Sequence, residues 1–267
     1  MNVIKLYGGL GNQLFQYALG KAQMANGIDV GFEISWFNKP DNAYRPYCLN
    51  KFNIDLKVSP FLKQPELNDV RLKYIYNPDY VKMDGFNFYG YWQQPGYFQS
   101  IFPELKNEFT VREEFFTQEY LELVKRVLQT DSVSLHIRRG DYVQINGHHL
   151  LTLDYYKEAI QRVGNKEFFI FSDDLEWCKQ YFKGNAFHFV DLPEVLCFEM
   201  MLLCKGHIIA NSTFSWWAAY LGYWKGKTVI APDQWRLDKP GQAYVSKDIL
   251  RPEGWQIISL PTDWNGK

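Results

Sequence analysis

Cysteine is scarce in this 267-residue chain: Cys48, Cys178, Cys197 and Cys204 form no C-x-x-C pair, and no histidine cluster stands near them. That spacing argues against a structural zinc site and a disulfide framework, and leaves buried, reduced thiols of a cytosolic protein. Long apolar runs are missing too. None approaches the ~20 residues of a membrane span. The start, MNVIKLYGGLGNQ, has too short an apolar stretch and too many glycines for a signal peptide. Neither sign of charge dominates, with 29 Lys and Arg against 30 Asp and Glu, a net −1. A nucleic-acid binder usually shows a basic excess or stripe, so no nucleic-acid partner is expected. No G-x-S-x-G motif accompanies the five histidines, and no Walker A motif is present. Serine hydrolases of that type and P-loop kinases fall away. There is no repeat or low-complexity tract, and 46 % apolar with 22 % charged residues excludes disorder and a coiled coil.

What is abundant is aromatic: 18 % of the residues are Phe, Trp or Tyr. Part of that is core. The rest suits a carbohydrate surface, because sugar C–H faces stack on rings whose polar tips hydrogen-bond.

The first unit reads as a strand (Val3 to Tyr7), a tight turn (Gly8 to Asn12), a helix (Gln13 to Asn26, with Gly27 as C-cap) and a strand (Ile28 to Ser35). Residues 38 to 108 carry seven prolines and many aromatics and read as short elements and long loops. Within them the run Phe86 to Phe98 is strand-like, turning at Pro95-Gly96. Beyond residue 118, strands at Val133, Glu167, Phe187, His207 and Lys227 alternate with helices. That alternation predicts a parallel sheet covered on both faces. The expected fold class is α/β: two Rossmann-like domains facing across a cleft, 1–112 and 113–267.

In open α/β sheets ligands sit beyond the C-terminal strand ends. Four polar clusters fall there. On VSLHIRR, Val133, Leu135 and Ile137 share one face and Ser134, His136 and Arg138 the other. Arg138 and Arg139 before Gly140 suit a diphosphate, since guanidinium forks match phosphate oxygens; a solvated pair with one salt bridge is the alternative. After FFIF, Asp173 reads as a helix cap with Glu176 completing a capping box, as a carboxylate pairing with guanine, or as half of a metal-binding pair. Ser212, Thr213 and Ser215 open a helix and suit an anion, or simply cap it. The Gly9-x-Gly11 loop resembles a dinucleotide fingerprint, with Glu33 at a ribose-binding distance, but Leu14 stands where Gly or Ala is required. An NAD dehydrogenase therefore stays a weak alternative.

Taken together, Gly8-Gly9-Leu10-Gly11-Asn12-Gln13, His136-Ile137-Arg138-Arg139-Gly140-Asp141-Tyr142, Leu153-Asp154-Tyr155-Tyr156, Ser172-Asp173-Asp174 and Asn211-Ser212-Thr213-Phe214-Ser215-Trp216-Trp217 resemble glycosyltransferase family 11, the α-1,2-fucosyltransferases of bacterial type. The order and spacing match from residue 1 to about residue 231. The resemblance implies a GT-B-like fold, with an acceptor-side N-terminal domain and a C-terminal domain that binds GDP-fucose. It implies inverting transfer of L-fucose from GDP-β-L-fucose to the 2-hydroxyl of a terminal galactose, with no cofactor and no essential metal. It places Arg138 and Arg139 on the diphosphate and His136 and Asp173 on guanine. Ser212, Thr213, Phe214 and Ser215 close on the phosphates, and the Gly9, Gly11 and Asn12 loop meets the sugar–phosphate linkage. The base is open among Asp141, His148, His149 and Asp154, because the Glu that some relatives carry after the arginine pair has no counterpart in Val143 to Asn146. Gly90-Tyr91-Trp92-Gln93 resembles a family stretch that shapes the acceptor side; a core hairpin is the alternative. The acceptor is a galactose-terminated glycan, with a lipid-linked form bringing a cytoplasmic enzyme to the inner face of the membrane. Two other functions stay open: a transferase of the same fold with a different donor, and a non-catalytic carbohydrate-binding protein.

Overall fold

A computed structural model describes residues 1–42, 45–69, 75–143, 150–222, 226–233 and 251–260. They divide into two compact units, Met1–Arg112 and a second that begins at Glu113.

The first unit holds β1 (Asn2–Lys5), α1 (Leu10–Ala25), β2 (Val30–Glu33), β3 (Glu66–Asn68), β4 (Asn87–Tyr89) and α2 (Phe102–Glu108), joined by short 3-10 turns. All four strands are parallel, in the order β2-β1-β4-β3. Helix α1 starts at Leu10, three residues before the position expected from its apolar spacing. Its first turn lies inside the glycine loop, where Gly8 takes φ +81° and Gly9 is the N-cap. The helix buries Leu14, Phe15, Ala18 and Leu19, and also three glutamines. Each amide is matched. Gln13 donates to the Gly8 and Pro46 carbonyls and accepts from the Cys48 N–H. Gln16 accepts from the Tyr7 N–H and donates to the Gly90 carbonyl. Gln23 donates to the Tyr80 carbonyl. Burial of such groups is tolerated only because they are bonded. The strand expected over Phe86 to Phe98 is cut short. β4 ends at Tyr89, because Gly90 packs on Asp69 and a 3-10 turn occupies Pro95–Tyr97.

The second unit runs α3 (Gln118–Gln129), β5 (Ser132–Ile137), α4 (Leu153–Val163), β6 (Glu167–Ser172), α5 (Leu175–Tyr181), β7 (Phe187–Val190), α6 (Glu194–Leu203), β8 (Gly206–Ile208), α7 (Thr213–Gly222), β9 (Thr228–Pro232) and β10 (Gln256–Ile258). Its parallel sheet has the order β10-β9-β8-β5-β6-β7. The alternation read from VSLHIRR holds. Val133, Leu135 and Ile137 enter a core with Tyr155, Tyr156, Phe168 and Ile208, while Ser134 on the other face bonds His207 Nδ1 at 2.6 Å. Each large apolar side chain so buried contributes roughly 1.5–3 kcal/mol.

Both sheets reverse direction once. From β1 the chain goes to β2 on one side, while β4 flanks β1 on the other; from β5 it goes to β6 and β7, then crosses to β8 on the opposite side of β5. Such reversals open a crevice at the C-terminal strand ends. The glycine loop borders the first crevice and HIRRGD the second.

Candidate active site

In the second unit, the loop after β5 and the turn after β8 flank the reversal. Tyr142 joins them, its hydroxyl donating to the Asn211 carbonyl at 3.1 Å. Asp173, just past β6, holds the arginine pair. Its Oδ2 lies 2.8 Å from Arg138 Nη1, and its Oδ1 accepts the Arg139 N–H at 2.8 Å. Asp141 binds the other end of the Arg138 guanidinium. Arg139 Nε meets Asp174 Oδ2 at 3.0 Å, and its guanidinium lies over the Trp177 ring, 4.2 Å from the centroid. Both arginine side chains are 17 % exposed, so each keeps an accessible edge within a fixed frame of carboxylates. Gly140 is obligatory in this frame: a Cβ there would stand 2.4 Å from Asp173 Oδ2.

His136 points to the same end of β5. Its ring lies 5.4 Å from that of Phe214, which packs in turn on Phe198. Burial, and then the positive charge of Arg138, lower its pKa to about 3, so the imidazole is neutral. Its Nδ1 is buried and has no hydrogen-bond partner among the described residues. A neutral ring with an unmatched polar atom fits a site that a ligand's hydrogen-bonding edge completes.

Several expectations need correction. The cap of α5 is Asp174, whose Oδ1 accepts the Trp177 N–H at 3.1 Å, and not Asp173. With Asp174 as N-cap, the third helical residue is Trp177, so Glu176 closes no capping box. Ser215 is fully buried, and its hydroxyl is directed at the Ala210 and Ser212 carbonyls, so it shapes the turn rather than facing an anion. Ser212, Thr213 and Phe214 remain partly exposed at the start of α7. Of the two cap residues that the sequence offers for α4, Thr152 and Asp154, it is Thr152 whose side chain accepts the Tyr155 N–H. His148 and His149 lie outside the described residues. Trp177 beneath Arg139 has no signal in the local sequence, which links nothing 38 residues apart.

In the first unit, Asn12 is the third residue of α1 and accepts a 3.0 Å hydrogen bond from Gln93 Nε2, across the β1–β4 reversal. Gly9 faces Arg45, whose Nη1 would lie 3.0 Å from an added Cβ, and Gly11 is buried in the first helical turn. Glu33 is committed to the Ser35 N–H at 2.6 Å and to Lys5 at 3.3 Å, which leaves little for a ribose. The four cysteines are free, three of them buried.

A sequence model of Glycosyl transferase family 11 matches residues 1–258. The chain belongs to this family. Membership makes the chain a glycosyltransferase and sets aside the dehydrogenase and the non-catalytic carbohydrate binder. The family chain is 34 % identical to an Escherichia coli α-1,2-colitosyltransferase over 271 residues, covering 87 % of this chain and 91 % of that one. It is 28 % identical to the O-antigen biosynthesis glycosyltransferase WbnK of Escherichia coli, covering 86 % and 93 %. It is 26 % identical to the mouse galactoside 2-α-L-fucosyltransferase Sec1, covering 83 % and 64 %. Among solved structures it resembles the NodZ α-1,6-fucosyltransferase soaked with GDP-fucose, at TM-score 0.51 and 13 % identity, over 82 % of this chain and 91 % of that one. That likeness is one of fold, the GT-B type.

Proposed function

We propose that this glycosyltransferase moves L-fucose from GDP-β-L-fucose to the 2-hydroxyl of a terminal β-galactoside, with inversion and without an essential metal. The observation that carries the reading is the framed arginine pair beside a neutral, partly unsatisfied His136. The acceptor oxygen attacks the anomeric carbon, the bond from that carbon to the diphosphate breaks, and the hydroxyl proton passes to a base. Negative charge builds on the departing GDP, and fixed donors aimed at that charge are worth most in a site partly removed from water. Arg138 and Arg139 supply those donors, with Ser212, Thr213 and Phe214 closing on the phosphates. His136 and the outward lone pairs of Asp173 read guanine. Asn12 meets the sugar–phosphate linkage.

Asp141 is the base in this reading. A diphosphate arriving at Arg138 competes with the Asp141 carboxylate for the guanidinium and releases it toward the acceptor. Residues 113–267 serve the donor and 1–112 the acceptor. The enzyme works in the cytoplasm, at the inner face of the membrane when its acceptor is lipid-linked.

A second reading is favoured by the 34 % identity to an α-1,2-colitosyltransferase. Colitose is the 3-deoxy form of L-fucose, so the two donors differ by one hydroxyl. The test is calorimetric binding of GDP, UDP, ADP and NAD in EDTA, then turnover with GDP-fucose and GDP-colitose. Selective GDP binding and transfer from GDP-fucose to a β-galactoside support the proposal. Transfer from GDP-colitose alone supports the second reading, and NAD binding without GDP binding overturns both.

A further inference from the structure

At the C-terminal end of β3 sits a carboxylate that the proposed reaction does not use. Asp69 is 4 % exposed. Its Oδ2 accepts two successive backbone N–H groups, from Tyr91 at 3.3 Å and Trp92 at 3.0 Å, and its own N–H donates to the Tyr89 carbonyl at 2.9 Å. These bonds bind a turn in which Trp92 has φ +54°, a conformation that bulky residues rarely adopt. Among the described residues it is the one non-glycine backbone with positive φ. Gly90 lets the carboxylate come so close, since an added Cβ would stand 2.1 Å from Asp69 Cβ. Trp92 is locked from the other side by edge contacts with Phe88 and Tyr80, at 5.5 and 5.8 Å between centroids.

The product of this turn is the direction of the next side chain. Gln93 leaves it pointing across the β1–β4 reversal and donates to Asn12 Oδ1 at 3.0 Å. An acceptor bond at Oδ1 fixes the amide flip of Asn12 and so presents its Nδ2 donor. Backbone strain that surrounding structure over-determines collects at functional sites, and here the residue that follows the strained one bonds the Asn12 amide.

We propose that Asp69 and Gln93 are positioning residues for Asn12: Asp69 holds the Trp92 turn, and the turn aims Gln93, which orients the Asn12 amide toward the donor. This rests on the reading in which Asn12 meets the sugar–phosphate linkage. In this proposal both residues act through Asn12 and not on the substrate itself.

The experiment is a double-mutant cycle on the full chain, with GDP-fucose and a β-galactoside, reading kcat, KM and GDP affinity separately. Gln93→Ala is expected to lower kcat between about tenfold and a hundredfold, the scale of a misplaced group, with GDP affinity unchanged. Added to Asn12→Ala it is expected to cost nothing more, because residues acting through one another are not additive. Asp69→Asn keeps an oxygen for the two N–H groups and keeps kcat, whereas Asp69→Ala falls to the level of Gln93→Ala. Wild-type kcat in Gln93→Ala, or losses that multiply in the double variant, overturn the inference. Wild-type kcat in Asp69→Ala removes Asp69 from the chain of cause. If Asp69→Ala does not fold, the Gln93 cycle and Asp69→Asn decide the matter. Wild-type kcat in Asn12→Ala instead overturns the underlying reading, a result distinct from an impaired Asn12→Ala with additive losses.

Discussion

Asp173 holds Arg138 by its side chain, Oδ2 to Nη1 at 2.8 Å, and through the adjoining backbone N–H of Arg139 it also fixes where the strand ends. One carboxylate thus sets both the direction of a guanidinium and the path of the loop that carries it. Gly140 leaves just enough room for this contact. Gly140→Ala puts a methyl group 2.4 Å from Asp173 Oδ2, and the partly exposed carboxylate must swing away. The expected outcome is a folded protein with GDP affinity weakened by about tenfold or more, the scale of a lost charge-assisted hydrogen bond. Calorimetry beside a thermal melt separates this from unfolding, and unchanged GDP affinity sinks the assignment.

Arg138 is expected to carry most of the charge that develops on the leaving group. Arg138→Ala should lower kcat by about 10²–10³, as removal of one preorganised donor does elsewhere. Arg138→Lys should not restore it, because an ammonium cannot keep the Asp173 contact while also offering a planar fork to phosphate. Steady-state kinetics of the two variants check this; full activity in Arg138→Ala would falsify the donor-site model.

His136 makes the fold acid-sensitive. Its folded pKa is about 3, against ~6.5 when unfolded. Between those values the unfolded chain binds the extra proton, so stability rises with pH and is lost as pH falls from 6.5 toward 3. At pH 4 the cost is about 3 kcal/mol. Denaturant midpoints from pH 7 to 4 should therefore fall more steeply in the wild type than in His136→Gln. Parallel curves would show that the imidazole is not held neutral.

The parts of this architecture legible in the sequence are those written in periodicity. Alternation on VSLHIRR assigned the two faces of β5, and the polar clusters after each strand sit where the sheets end. What was not legible depends on partners far apart in the chain. Asp173 and Asp174 are both plausible caps by composition, and only the pull of Arg138 and the Arg139 N–H on the first leaves the cap to the second. Ser215 looks like an anion ligand in NSTFS until helical geometry turns its hydroxyl back to Ala210. The aromatic run after Phe86 has strand composition, yet Asp69, about twenty residues earlier, bends it at Trp92.

That bend leads to a prediction on stability alone. Burial raises the Asp69 pKa to about 6, although the Trp92 and Tyr91 N–H groups pull the other way. Unfolded, the same carboxyl titrates near 3.9. Between the two values the folded chain binds the extra proton. The contribution to stability is therefore fully present below pH 4 and is lost as pH rises through 6. Two units correspond to roughly 3 kcal/mol, an upper value because the buried carboxylate relaxes with its surroundings. Asp69→Asn removes this titration while keeping an oxygen for the two N–H groups. The stability of Asp69→Asn relative to wild type should thus increase between pH 4 and pH 8 by up to about 3 kcal/mol, whatever constant offset the substitution brings. Urea unfolding at several pH values reads that difference directly. The expected slope is opposite in sign to the one His136 produces, so the two groups can be told apart within one chain. A difference that stays flat with pH means that the Asp69 carboxyl titrates alike in the folded and unfolded chain.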